Sequence, residues 1–290
     1  MKRLLFAMTA AALGVAMPAA ATPFFFSTGD VTNAIAVATR PDTPGKFEIE
    51  AGDDFVASRG IFVNSATFTG LLTGGATTGD IGQVVVEIYR VFPLDSDVGR
   101  TSGPPVFSTD NVPTRVNSPS DVAFDDRDSA VPTLTFTTDT LADTFVALNS
   151  VQPGGIHPKP GQTTGGNGAV TGTEVQFNVS FTTPFQLPAG HYFFVPQVEV
   201  TTASGEFLWL SGTRPIVPPG TPFAPDLQSW TRDDSAGGIN PDWLRVGTDI
   251  VGAGTFNQAF TLNGRLPEPG TLVLLGLGLV ALAVLHRKRR

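Results

Sequence analysis

Four aspartates fall within one short stretch, at Asp121, Asp125, Asp126 and Asp128. Hard carboxylate oxygens are what Ca²⁺ takes, in sets of about 6–8 ligands completed by carbonyls and water. This stretch is therefore the first candidate site, for a structural Ca²⁺. Asp126-Arg127-Asp128-Ser129-Ala130 lacks the Gly and the distal Glu of an EF-hand loop, and Arg127 offers the alternative of a solvated, ion-paired turn. All three tryptophans, Trp209, Trp230 and Trp243, lie in one stretch near Asp226, Asp233, Asp234, Asn240 and Asp242. Aromatic faces beside short polar side chains suit stacking on sugar rings. Trp230 and Trp243 are thus candidate glycan contacts, whereas Trp209, inside Phe207-Leu208-Trp209-Leu210, reads as core.

Catalysis finds few partners. With no Cys there is no thiol nucleophile, disulfide framework or Cys-ligated zinc. His157 and His191 are far apart in sequence, and no Gly-x-Ser-x-Gly elbow presents a serine. A non-catalytic protein is expected. The enzymatic alternative is a polysaccharide hydrolase, which needs only two carboxylates roughly 5–10 Å apart.

The two ends read as addresses. Lys2-Arg3, an apolar stretch over residues 4–17 and Pro18-Ala19-Ala20-Ala21 follow the three-part order of a secretory signal peptide. Ala19 and Ala21 supply the small side chains that signal peptidase requires, so residues 1–21 are expected to be removed. At the other end come Pro267-Glu268-Pro269, an uncharged stretch over residues 271–285, and the basic cluster His286, Arg287, Lys288, Arg289 and Arg290. A helix over 271–285 would be about 22 Å long, short of the roughly 30 Å hydrocarbon layer. Snorkelling Arg and Lys side chains and local thinning let such a helix hold. Positive-inside logic then places the basic tail in the cytoplasm and the folded body outside.

This tail closely resembles the PEP-CTERM sorting signal of Gram-negative bacteria, also known as an ice-binding protein C-terminal domain: the Pro-Glu-Pro at 267–269, the apolar helix and the basic cluster match in order and spacing. The resemblance implies that an exosortase-type transpeptidase removes the helix after a transient inner-membrane stage facing the periplasm. It further implies delivery of the body to the cell surface or an extracellular exopolysaccharide matrix. The label describes the address and not the cargo: Thr-rich pieces such as Thr133-Leu134-Thr135-Phe136-Thr137 are isolated, with no repeat to stack them.

The ends also divide the charge. Six of the 18 basic residues lie at residues 2–3 and 287–290, while every acidic residue lies between Asp30 and Glu268, leaving residues 22–269 with twelve basic against 26 acidic side chains. A field of that sign repels phosphate backbones, so nucleic acid is not an expected partner.

Between the addresses, residues 22–265 read as one exported domain, followed by the sorting signal at 266–290. Val175, Phe177, Val179 and Phe181 alternate with Glu174, Gln176, Asn178 and Ser180, giving a strand with one apolar and one polar face. Further strands are expected at Ala66-Phe68, Val84-Ile88, Leu134-Phe136, Tyr192-Phe194, Phe207-Trp209 and Phe256-Leu262, separated by Gly, Pro, Asn and Asp. Leu141-Asn149 is the one stretch that could be helix. Long loops are expected over 152–172 and 216–225. The fold class expected is all-β, an antiparallel sandwich of jelly-roll type.

Overall fold

The computed structural model describes residues 21–95, 117–156, 163–216, 227–234, 243–252 and 254–267. The signal segment over 1–20, the histidine at 157, Glu268, Pro269, the helix expected over 271–285 and the basic tail through Arg290 lie outside the described residues. Pro23–Leu266 forms one unit.

The fold is mostly β. Strand-forming alternation is strongest in β9 (Val170–Leu187), whose Val175, Phe177 and Val179 are buried while Ser180 is exposed. β9 lies between β7 (Leu134–Ala147) and β4 (Ile61–Leu72). The other edge of β4 is shared: β14 (Phe260–Arg265) pairs along Phe62–Phe68, and β11 (Phe207–Gly212) takes over at Gly70–Leu72. Gly70 sits where the sheet forks, and a Cβ there would come within 2.4 Å of the Leu208 carbonyl oxygen. β1 (Pro23–Ser27) extends the β14 arm. β2 (Val31–Ala38) and β8 (Ser150–Val151) extend the β11 arm and make the one parallel pair among the described residues.

A second sheet has the order β13 (Leu244–Arg245), β12 (Trp230–Asp233), β3 (Ile49–Ala57), β10 (Gly190–Val200), β5 (Ile81–Arg90) and β6 (Asp125–Asp128), antiparallel throughout. Helical structure among the described residues is confined to Thr78–Asp80, Pro153–Gly155 and Val246–Val251.

The two sheets meet through aromatic rings. Phe194 of β10 stacks on Phe260 of β14 at 5.0 Å and meets Trp209 of β11 edge-on at 6.0 Å. Phe55 of β3 reaches Phe26 of β1 at 5.9 Å. Within the first sheet, Phe68 and Phe177 are opposed across β4 and β9 and stack at 4.9 Å, with Phe207 edge-on to both. Each such ring removed from water contributes about 1.5–3 kcal/mol, and edge or offset geometry adds to that. With no disulfide available, this packing and the strand ladders hold the two sheets together.

Two expectations change. Leu141 to Ala147 belongs to β7, because its residues pair with β9 as far as Ala147–Val170 rather than closing helical turns. Phe256 lies before β14, whose pairing begins at Phe260.

Candidate functional site

Because strand side chains alternate, each sheet has an outer face away from the shared core. On the six-stranded sheet that face carries Glu50, Asp54, Glu87, Tyr89, Phe193, Val195, Trp230 and Arg232. Tyr89, Val91, Phe193, Val195, Leu227, Trp230 and Trp243 form a second, smaller apolar cluster there. Buried beside them is a network of charge. Oxygen atoms of Glu48, Glu50 and Glu87 lie within 4.8 Å of one another, the one such group of three potential ligands among the described residues.

Arg232 supplies the countercharge. Its Nε donates to Glu50 Oε2, and its Nη2 donates to Glu50 Oε1 at 3.1 Å and to the Tyr89 hydroxyl at 3.0 Å. The Tyr89 hydroxyl in turn donates to Glu50 Oε1, and Glu87 Oε2 lies 3.2 Å from it. Gln197 Nε2 donates to Glu48 Oε1 at 2.9 Å. The Arg232 guanidinium lies over the Trp243 ring at 4.5 Å and donates to the Asp121 carbonyl at 3.1 Å, while Trp243 Nε1 donates to the Ser120 carbonyl at 2.9 Å. One arginine thus joins β12 and β3 to β5 and to the segment before β6.

Three carboxyls exceed one guanidinium, and a proton makes up part of the difference. Burial, and then the charge of Glu50, push the Glu87 carboxyl up to about 9, so it is neutral at pH 7. Glu48 is raised for the same two reasons. Burial opposes the Arg232 charge, but Glu50 and Tyr89 hold its pKa above the ordinary guanidinium value. A neutral and an ionised carboxyl side by side are the elements of acid–base chemistry. Here, however, Glu50 is 3% exposed and its oxygens are taken by Arg232 and Tyr89. The guanidinium occupies the position of charge a cation would fill. The arrangement clamps chain segments onto the sheet.

The expected sites fall elsewhere or apart. Trp230 and Trp243 are 2% and 1% exposed, and Trp209 is fully buried. No face of either candidate ring is open to a sugar, because Trp230 faces outward from its strand but is covered within the second cluster. The four aspartates do not converge. In β6, alternation sends Asp125 and Arg127 to one face and Asp126 and Asp128 to the other. Asp125 accepts from both terminal nitrogens of Arg127, at 2.6 and 3.0 Å, and Asp128 Oδ1 accepts from Gln83 Nε2 at 2.8 Å. Asp121 contributes its carbonyl to Arg232. His191 is buried against Asp54, whose other oxygen accepts from the Leu227 amide at 2.7 Å.

Glu48, Glu50, Glu87, Tyr89 and Arg232 were missed in the sequence, although a signal was present. Glu48-Ile49-Glu50 and Glu87-Ile88-Tyr89 both put two polar groups on one strand face around an isoleucine that faces the core.

Along the rows through Thr67 and Ser65, the outer face of the eight-stranded sheet is different: open, and lined mostly by uncharged polar side chains. It holds a cleft of about 300 Å³, whose walls include Ser27, Asp30, Thr67, Glu174, Gln176 and Thr261.

No curated protein and no solved structure matches the chain. Residues 266–290 match the family model of the PEP-CTERM protein-sorting motif, which implies export, membrane-anchored processing and recognition by an exosortase.

Proposed function

We propose that this chain is a non-catalytic exported protein whose body is released from its tail by an exosortase-type transpeptidase and displayed on the cell surface or in the extracellular matrix. The observation that carries this reading is the sorting motif at residues 266–290. The strand ladder supports it. β1 pairs with β14 from Pro23 opposite Arg265 to Ser27 opposite Thr261, so the body closes on itself at its two ends. Cuts after Ala21 and at Pro267-Glu268-Pro269 leave every one of these pairs in place.

The displayed body is a sandwich wound as a jelly roll. What supports this winding is that early strands pair with late ones, β1 with β14, β2 with β11, β3 with β12 and β10, β4 with β9 and β5 with β10. Pairing of distant strands is expected when a chain folds back on itself and wraps. A glycan-binding role through Trp230 and Trp243 has no open ring to use, and hydrolysis through the glutamate group meets carboxyls already engaged by Arg232 and Tyr89.

The test is the intact mass of the exported protein from cells with and without the transpeptidase. The expected product lacks residues 1–21 and everything beyond the Pro-Glu-Pro segment, and it accumulates with its tail in membranes when the transpeptidase is deleted. A full-length, unprocessed species in both strains would overturn the proposal.

A further inference from the structure

The pairing registers assemble an array that no single strand shows. On the outer face of the eight-stranded sheet, Ser27, Thr261, Thr67, Asn178 and Thr137 are successive cross-strand partners on five strands. Two residues along, Phe25, Asn263, Ser65, Ser180 and Thr135 form a parallel row. At about 4.8 Å between strands, each row crosses roughly 19 Å of surface.

Side-chain bonds hold parts of the array in place. The Thr67 and Thr261 hydroxyls lie 2.7 Å apart, Gln176 Nε2 donates to Asn178 Oδ1 at 2.9 Å, and Asn178 Nδ2 donates to Asp139 Oδ2 at 2.8 Å. The cleft of about 300 Å³ opens beside the first row. That is the lower end of the size range of small-ligand sites, roughly 300–1,000 Å³. Phe25, in the second row, is 66% exposed.

The chemistry of these groups narrows the occupant. Neither row contains a cation, and the charged residues at the cleft are Asp30 and Glu174, so phosphate, sulfate and polyuronate ligands find no countercharge. An apolar ligand would cover hydroxyls and amides without giving them hydrogen-bond partners, at a cost in desolvation. A neutral polyhydroxylated chain matches on both counts: it donates and accepts like the array, and the apolar face of one ring can rest on Phe25.

We propose that the cleft and the two rows beside it bind a segment of neutral oligosaccharide, with Thr67, Gln176 and Thr261 exchanging hydrogen bonds with its hydroxyls and Phe25 carrying one ring. This goes beyond display, which concerns where the body is delivered, and it uses a surface distinct from the buried tryptophans.

The test is affinity electrophoresis of the full chain in mild detergent, through gels carrying dextran, mixed-linkage β-glucan or galactomannan as neutral polymers and alginate as an acidic one. Retardation by at least one neutral polymer and none by alginate is expected. Gln176→Ala combined with Thr261→Ala should weaken that retardation about tenfold, as expected for losing two hydrogen-bonding groups. Phe25→Ala, a change at a largely exposed side chain, serves as the second probe and should weaken it severalfold with the melting temperature held within about 2 °C. Retardation unchanged in both variants would place binding elsewhere and overturn the site. Retardation by alginate alone, or by none of the polymers, would overturn the ligand class. Tail processing is read separately by intact mass, so failure of one proposal leaves the other standing.

Discussion

The outer faces of the two sheets begin from the same alternation and end in opposite states. On the six-stranded sheet, Leu227, Trp230 and Trp243 cover the face, and the polar side chains caught beneath them are matched to one another: Glu50 to Arg232 and Tyr89, Glu48 to Gln197, Glu87 to a proton. On the eight-stranded sheet the polar row stays in contact with solvent and is built from hydroxyls and amides rather than ions. Charge is concentrated where it is buried and sparse where the sheet is open. A covered face needs strong mutual pairing to offset desolvation, whereas an open face of neutral groups keeps its hydrogen-bonding capacity for something else.

The largest effect expected from breaking this contrast is at Arg232. Arg232→Ala leaves Glu50 buried without its cation and should destabilise the body by about 3–5 kcal/mol in chemical denaturation, as for other broken buried pairs. A loss below about 1 kcal/mol would mean that the covered face is in fact wet.

Next is the proton on Glu87. Its folded pKa of about 9 stands above the reference value of 4.5, so the native state holds this proton more tightly than the unfolded chain. The resulting stability is complete below pH 4.5 and is lost as pH rises through 9. Glu87→Gln should therefore flatten the fall in melting temperature between pH 5 and pH 9. The variant should exceed the parent at pH 9 by a few degrees, on a scale of about 2–4 °C per kcal/mol. Parallel pH profiles for the two proteins would remove the proton from the account.

The smallest effect is on the open face. Thr261→Ala removes one hydroxyl contact with Thr67 and should change stability by no more than about 0.5 kcal/mol. A loss of several kcal/mol would show that the row is a structural element and not a free surface.

Legibility followed the same division. Strands whose inner residues are apolar and whose outer residues are mostly polar, such as β9 and β5, could be read from alternation. β3 could not: Ile49–Ala57 carries Glu50, Asp53 and Asp54, all buried, and so looks like a loop. Its carboxylates are satisfied from distant segments, Asp53 by the Gln258 amide at 2.7 Å and Asp54 by the Leu227 amide and His191. Such partners are invisible until the chain has folded. The open array was hidden for a related reason. Thr135, Thr137, Thr67 and Thr261 look isolated in sequence because what aligns them is strand register, not a repeat. The tail needed no fold to be read, since its order of Pro-Glu-Pro, apolar stretch and basic cluster is itself the signal.

Hydroxyl-radical footprinting of the intact protein tests the contrast between the faces most directly. Indole is intrinsically at least as reactive as a phenyl ring, so burial decides the order. Phe25, 66% exposed, should be oxidised at least about tenfold faster than Trp230 and Trp243, at 2% and 1% exposed. Oxidation of Trp230 and Trp243 at a rate equal to or above that of Phe25 would contradict the account, because the six-stranded face would then be open and its tryptophans available to a ligand.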